Sequence, residues 1–229
     1  AMSQIGPVKI ESGKYSMVID SEVASRLVTP VLNALGGYSL QQKNSFMLDS
    51  LGKKMFPEWL NIWDRPVSVG ETGSRLFDSE GVATAEMPIV ENGVVKEYFV
   101  NTYMSRKMGV EATVEDATRP VVLPCFAPSV AEPVEATCGK EELMRIVGEG
   151  ILVTGFNGGN SNSATGDFSF GVEGFLFKDG KIVHPVREML ITGNLLTLWN
   201  NLLAAGNDAR FCKSKLIPTL AFGNVDFSA

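Results

Sequence analysis

The most regular run of apolar positions predicts a helix near the start of the chain. Four apolar residues recur at every fourth position of this segment: Val23, Leu27, Val31 and Leu35. This spacing places them on one helical face. Asp20-Ser21 can cap the first N–H groups of the helix, and Gly36-Gly37 can end it. Pro30 lies inside the pattern, so we expect a kink there or a helix divided in two.

Three further segments have the apolar spacing and end signals of helices. They cover residues 101–108, 140–147 and 195–204. Asn194 can cap the last of these, and Gly206 can stop it. The pattern therefore predicts about four helices in all.

Most of the remaining apolar runs have the length of strands. Asn92-Gly93 and Asp179-Gly180 each lie between two such runs, which is the strongest local signal for a β-hairpin. Residues 8–19 also resemble a strand pair, about Ser12-Gly13. Residues 110–136 contain several prolines and are predicted to form an extended surface loop. The predicted fold is α+β, with mainly antiparallel sheets arranged like a barrel or a sandwich.

Composition excludes several classes of protein. The 229 residues include 20 Lys and Arg against 26 Asp and Glu, which gives a net charge of −6 and no basic surface for nucleic acid. No apolar run approaches the roughly 20 residues of a membrane span. The three cysteines are odd in number and far apart, so we expect a reducing cytoplasm rather than a disulfide framework.

Residues 154–169 are unusually rich in glycine and short polar side chains. Such a segment can approach a ligand closely and offer it amide N–H groups. It is not a phosphate-binding P-loop, because no Gly-Lys-Ser/Thr follows, and it opens no helix as a dinucleotide-binding motif would. Two interpretations stay open: a loop that contacts a ligand, or a wide turn between strands.

His184 and Cys212 are the side chains that could bind a metal or act in catalysis. His184 is the single histidine and lies in a predicted strand, where a half-buried structural role is the alternative. Cys212 would need a histidine nearby to act as a nucleophile, or further ligands to hold zinc. Its alternative role is that of a small buried apolar residue.

Two groups of motifs resemble a known family. The first group is Glu91-Asn92-Gly93-Val94-Val95-Lys96-Glu97-Tyr98, Asn101-Thr102-Tyr103 and Arg106-Lys107-Met108-Gly109. The second is Thr165-Gly166-Asp167-Phe168-Ser169, Pro185-Val186-Arg187-Glu188, Ile191-Thr192-Gly193-Asn194-Leu195 and Gly206-Asn207-Asp208. In this order they resemble the C-terminal part of the TldD/PmbA family, also called modulators of DNA gyrase. The resemblance implies that residues 1–229 are a single C-terminal domain from a longer, two-domain protein.

The resemblance also indicates a branch of that family. In the TldD branch a helix carries His-Glu-x-x-x-His, and with a distant Cys it binds zinc; the PmbA/TldE branch lacks this motif. Here Val28-Thr29-Pro30-Val31-Leu32-Asn33 aligns with the motif, with no His and with Thr29 at the Glu position. The chain therefore resembles the PmbA/TldE branch. Cys212 matches a Cys of that branch, but without two His it has no evident metal to hold.

The resemblance implies a non-catalytic subunit of a zinc-dependent peptidase complex that degrades or matures unfolded peptides. Zinc is expected in a TldD-type partner and no cofactor in this chain; without the partner, a homodimer is possible. The subunit would shape the chamber that holds the peptide. The residues expected to line the chamber come from the glycine-rich segment: Asn157, Gly158, Gly159, Asn160, Asn162, Thr165 and Asp167.

Two alternatives stay open at this stage. One is a true metallopeptidase with an atypical site made by Cys212, His184 and a carboxylate. The other is a non-enzymatic module that binds gyrase or another protein.

Overall fold

A computed structural model describes residues 6–130 and 138–229 of the chain. The described helices are α1 (Ser25–Ala34), α2 (Gly37–Gln41), α3 (Thr102–Met108), α4 (Lys140–Val147) and α5 (Leu195–Asn200). The strands are β1 (Gly13–Ile19), β2 (Ile62–Asp64), β3 (Met87–Glu91), β4 (Val94–Val95), β5 (Pro120–Val122), β6 (Cys125–Phe126), β7 (Glu149–Ser161), β8 (Asp167–Lys178), β9 (Lys181–Asn194), β10 (Leu202–Ala205) and β11 (Leu220–Ser228). The fold is α+β with mostly sheet content, as the sequence predicted.

Five strands close into a barrel. They follow the order β1-β7-β8-β9-β11, and β11 pairs back with β1. All of these pairings are antiparallel except β1 with β7, where Met17 lies opposite Ile151 and Ile19 opposite Val153. β10 and β6 extend the sheet from the start of β11.

A smaller antiparallel sheet has the order β4-β3-β2-β5. Its β3–β4 hairpin turns at Asn92 (φ 51°) and Gly93 (φ 75°), and the β8–β9 hairpin turns at Asp179 (φ 51°) and Gly180 (φ 73°). Positive φ at both central residues is the signature of a type I′ turn, so both predicted hairpins are confirmed. At Gly93 a Cβ would lie 2.3 Å from the carbonyl oxygen of Phe56, so the turn has no room for a side chain at this position.

One large apolar core joins the barrel interior to α1, α5 and the small sheet. Trp199 of α5 is fully buried at its centre and meets the rings of Phe222 and Phe56 edge-on, at centroid distances of 5.5 and 6.5 Å. A second, smaller core lies under α4, where Leu143 packs in a cluster with Phe177. Because the large core includes residues of α1, α5 and the barrel strands, both helices are packed against the barrel.

The predicted starts of α3, α4 and α5 are confirmed to within one residue, whereas α1 begins at Ser25 with no side-chain cap, so the predicted cap at Asp20-Ser21 is wrong. Helix α4 has the predicted bounds, and Asn101 and Asn194 cap α3 and α5 by accepting hydrogen bonds from the amides of Met104 and Leu196. Helix α1 runs through Pro30 to Ala34 without interruption, so of the two expected alternatives, a kink or a divided helix, the division is wrong.

Three local predictions are wrong because distant strands compete for the same residues. The helix predicted over residues 195–204 ends at Asn200, since residues 202–205 form β10 between β11 and β6. Residues 8–19 contain one strand, β1 (Gly13–Ile19), rather than a pair, and Val8 makes only an isolated bridge to Val186. Within the predicted loop 110–136, β5 and β6 are largely buried; Pro133 lies outside the described residues.

Candidate functional site

An open groove of about 620 Å³ lies between α1 and the far end of the β7–β8 hairpin. One wall is the outward side of α1, and the other is formed by the end of β7 and the turn that follows it. Phe46 and Phe156, both partly exposed, give the groove an aromatic surface, and the buried ring of Phe170 lies behind it. Its volume is in the range of sites that bind small molecules or peptide side chains.

Helix α1 presents this side because its apolar residues lie on the opposite one. Leu27, Val28, Val31 and Leu32 are buried in the core. The residues between them, at spacings of three and four, line the groove: Arg26, Thr29, Pro30 and Asn33. Thr29 Oγ1 donates a hydrogen bond to the Ser25 carbonyl at 2.8 Å, so this hydroxyl is already engaged within the helix.

Beside the groove, one edge of strand β7 has no strand partner among residues 6–130 and 138–229. Its pairing with β1 ends at Val153, whereas its pairing with β8 continues to Ser161. Two irregularities in register, after Val153 and after Phe156, bend this part of the strand. Arg26 Nη2 donates to the Gly159 carbonyl at 2.9 Å, which ties α1 to the strand across the groove.

The turn after β7 is held by its own polar side chains. Asn162 Oδ1 accepts a hydrogen bond from the Ala164 amide, and Thr165 Oγ1 donates to Asp167 Oδ2. Asn194 Nδ2 donates both to the Thr165 carbonyl (2.8 Å) and to Asp167 Oδ1 (3.0 Å). These hydrogen bonds from Asn194 and Thr165 lower the pKa of Asp167. The turn is thus a fixed element and not an open loop.

The structure divides the predicted substrate-binding residues into two groups. Asn157, Gly158, Gly159 and Asn160 belong to β7 rather than to a loop, and of these Asn160 lines the groove. Asn162, Thr165 and Asp167 build the turn. Contact of either group with a substrate stays a prediction.

Gly159 shows why the segment is rich in glycine. Its φ is +86°, and a Cβ there would lie 2.0 Å from the carbonyl oxygen of Ser169 on the neighbouring strand. The missing side chain is therefore explained by close approach of two strands. Sequence analysis did not identify Arg26, Phe46 or Phe170, because only the packing of α1 against the hairpin brings them together.

A second groove, of about 580 Å³, adjoins the first. Thr29, Asn33 and Ser39 line both grooves, so these residues form the ridge between them. The second groove is more polar and includes Asp116 and Lys215. The two grooves therefore adjoin each other along the outward side of α1.

The residues of α1 do not fit a zinc site. Val28 is aliphatic and fully buried, whereas Asn33 is exposed and offers only an amide. Across residues 6–130 and 138–229, no three His, Cys, Asp or Glu side chains form a group that could hold a metal ion. The combination of Cys212, His184 and a carboxylate is not assembled in this part of the chain.

His184 and Cys212 also differ from the structural roles that the sequence suggested for them. His184 is exposed on β9, opposite Leu176, and is not half-buried. Cys212 is exposed in a turn and is not a buried apolar residue. Cys125 and Cys138 are buried, and burial raises the pKa of their thiols to about 12 and about 11. These two thiols stay protonated near neutral pH, so they are poor nucleophiles.

The Gly206-Asn207-Asp208 motif is structural. Asn207 Oδ1 accepts a hydrogen bond from the Cys138 amide, and the two carboxylate oxygens of Asp208 accept from the Thr219 amide and hydroxyl, each at 2.7 Å. The motif thereby joins the end of β10 to the start of β11.

Among the described residues, no helix has the length and apolar character needed to cross a membrane.

Comparison with known proteins gives consistent relatives. A family model described as the PmbA/TldA metallopeptidase C-terminal domain matches residues 12–229. Metalloprotease PmbA of Escherichia coli O157:H7 is 32% identical over 226 residues, covering 96% of this chain and 48% of that protein. A Haemophilus influenzae PmbA homolog is 35% identical over 207 residues, covering 90% of this chain and 44% of that protein.

Solved structures share the fold. A crystal structure from Bacteroides thetaiotaomicron, of a protein whose name refers to modulation of DNA gyrase, has a TM-score of 0.91 at 46% identity. It is covered to 50%, with all of this chain matched. TldE from Thermococcus kodakarensis has a TM-score of 0.83 at 20% identity, which shows a common fold alone, and is covered to 53%. The chain thus spans about half the length of these relatives.

Proposed function

Because this chain belongs to the PmbA/TldD metallopeptidase family, as one of its C-terminal domains, we propose that it is part of a non-catalytic subunit in a two-subunit zinc peptidase. Its role there is to form one wall of the chamber that holds an unfolded peptide. The zinc and the activated water belong to a TldD-type partner subunit. The complex works in the cytoplasm, and without the partner the subunit can pair with a second copy of itself.

One observation carries the proposal: the groove is built on the helix that would have to carry the metal ligands, and that helix has none. Thr29 and Asn33 line the groove, and Val28 is buried beneath them. The side of α1 that faces the groove offers hydroxyl, amide and guanidinium groups, which bind polar groups of a peptide. None of these groups lowers the pKa of a water molecule as zinc does.

The free edge of β7 supports peptide binding in an extended form. An unpaired strand edge presents N–H and C=O groups, so a peptide can add as a further strand through main-chain hydrogen bonds. Such binding tolerates many sequences. This is the property needed by an enzyme that degrades or trims unfolded chains. It gives Asn157, Gly158 and Asn160 a direct role, whereas the Gly159 carbonyl already accepts a hydrogen bond from Arg26.

The test uses the full-length protein and a TldD-type subunit from the same organism, purified separately and as a complex. Zinc is measured by mass spectrometry, and cleavage is measured with a labelled unfolded peptide. We expect stoichiometric zinc only in the partner, and cleavage only when both subunits are present. Zinc and cleavage in the full-length protein alone would instead favour the atypical metal site.

A groove variant links the cleavage to this surface. Asn33→Trp places a large side chain on the ridge shared by both grooves, and we expect it to slow cleavage about tenfold or more while the subunits still co-elute. Thr197→Trp, at an exposed position of α5, is the matched control and leaves cleavage unchanged. A complex that assembles but cleaves no peptide would favour the non-enzymatic interaction module.

A further inference from the structure

Arg26 is the one charged side chain among the described residues that line the first groove. Its Nη2 donates to the Gly159 carbonyl at 2.9 Å, and its guanidinium carbon lies 5.1 Å from the centre of the Phe170 ring. Within the described part of the chain, no carboxylate lies within salt-bridge distance of Arg26. The cation is therefore fixed in place, with hydrogen-bond donors left for a ligand.

A fixed guanidinium at the wall of an open groove is suited to a carboxylate. Its planar set of N–H donors matches the two oxygens of a carboxylate, and the charge strengthens each hydrogen bond. The contact with Phe170 and the bond to Gly159 reduce the entropy that the side chain would lose on binding. An anionic ligand group is thus the chemical complement of this position.

Directly beside Arg26 the groove is aromatic. The ring of Phe170 meets Phe156 edge-on at 5.7 Å and stacks on Phe168 at 5.3 Å, and Phe46 lines the same groove. Phe170 is almost fully buried, so this wall is rigid. A ligand that satisfies both parts must carry a carboxylate and an apolar side chain close together.

We propose that Arg26 and this aromatic wall form a subsite for the C-terminal residue of a peptide: the free main-chain carboxylate binds Arg26 and an apolar side chain lies against Phe46 and Phe156. The last residue of a chain carries both groups on one Cα, whereas an internal acidic residue supplies the charge without the apolar group. This inference rests on the proposed function and names the part of the substrate that the groove selects.

The test compares two labelled peptides that end in Leu and differ only in a free C-terminal acid or a C-terminal amide. With the full-length protein in its complex, we expect kcat/KM to be about tenfold higher for the acid, a modest value because Arg26 is partly in solvent. Arg26→Gln removes the preference by slowing the acid and not the amide. Arg26→Lys, which keeps the charge but loses the planar donors, gives an intermediate ratio.

Arg65→Gln is the matched control, since Arg65 pairs with Glu86 and does not line either groove. It should leave the ratio of acid to amide at the wild-type value. An acid-to-amide ratio that Arg26→Gln does not change would overturn the proposal. A third peptide, with an amide end and an internal Glu, overturns it too if that peptide is cleaved as well as the acid.

A complex that cleaves neither peptide contradicts the proposed function, and the subsite is then decided by binding. The anisotropy of the two labelled peptides is measured with the full-length protein alone. Tighter binding of the acid that Arg26→Gln abolishes supports the subsite. Equal binding of acid and amide, or no binding of either, rejects it.

Discussion

Asn194→Ala should loosen the turn at the end of the groove. The Asn194 side chain caps α5 by accepting from the Leu196 amide at 3.0 Å, and it donates to the Thr165 carbonyl at 2.8 Å. Losing a cap costs about 1 kcal/mol, and losing the second hydrogen bond costs about 1 kcal/mol more. The bond to Asp167 is left out of this sum because that carboxylate lies in solvent. The expected loss is about 2 kcal/mol of local stability.

Hydrogen exchange in the full-length protein measures this loss locally. The amides of Leu195 and Gly166 report it, since they donate to the carbonyls of Gly166 and Asn162. A loss of about 2 kcal/mol raises their exchange rates about thirtyfold. Asn194→Asp separates the two roles: it keeps the cap acceptor, loses both donated bonds and places a carboxylate against Asp167. Gly166 should therefore exchange at least as fast as in Asn194→Ala, while Leu196 stays protected. Unchanged exchange at Gly166 in both variants would refute the role given to Asn194.

Two further predictions concern Gly159 in β7 and Asp20, which follows β1. Gly159→Ala should destabilise the protein by about 1–3 kcal/mol in thermal unfolding, because φ is +86° and the new Cβ would meet the Ser169 carbonyl. Gly171→Ala is the control and should be close to neutral, since the nearest atom to its Cβ would be 3.6 Å away. Burial raises the pKa of Asp20, but hydrogen bonds from Glu22 and Lys140 outweigh it and lower the pKa overall. The ionised Asp20 therefore stabilises the folded state at pH values above the ordinary pKa of Asp. This stabilisation is lost as pH falls through the lowered pKa. Lys140→Met should therefore cost about 1 kcal/mol at pH 7. The melting temperatures of variant and wild type should converge as pH falls below the ordinary pKa of Asp and through the lowered one; a difference that stays constant with pH would contradict the assignment.

The elements that the sequence predicted well are those whose signals are local. The turns at Asn92-Gly93 and Asp179-Gly180 require positive φ at two successive residues, which is a property of the residues themselves. The predicted cap at Asn194 acts over two residues in the same way. Such features form whatever the rest of the chain does, so a single sequence is sufficient to find them.

The elements that were missed depend on distant partners. Residues 202–205 continue an apolar pattern that suits a helix, yet they become β10 because β11 and β6 offer backbone hydrogen bonds on both sides. Strand β5 lies in a segment with several prolines, and pairing with β2 fixes it in the small sheet. Local propensity differs by less than about 1 kcal/mol per residue, which tertiary pairing outweighs.

The candidate site shows the same division. The lack of metal ligands on α1 follows directly from Val28, Thr29 and Asn33 in the sequence. The position of Arg26 over Phe170 does not, because the two residues are 144 apart and meet only through packing. The glycine content of this segment has a structural reason, because Gly159 lets two strands approach closely.

The turn at residues 162–166 has a defined part in the proposed function. The Ser163 carbonyl accepts a hydrogen bond from the Phe46 amide at 2.9 Å, so the turn also positions one of the aromatic side chains in the groove. If Asn162, Thr165 and Asp167 act only by holding this turn, Asn194→Ala and Asn194→Asp should slow peptide cleavage in proportion to their effect on exchange at Gly166. If these residues contact the peptide themselves, Thr165→Ala should slow cleavage more than its effect on that exchange accounts for.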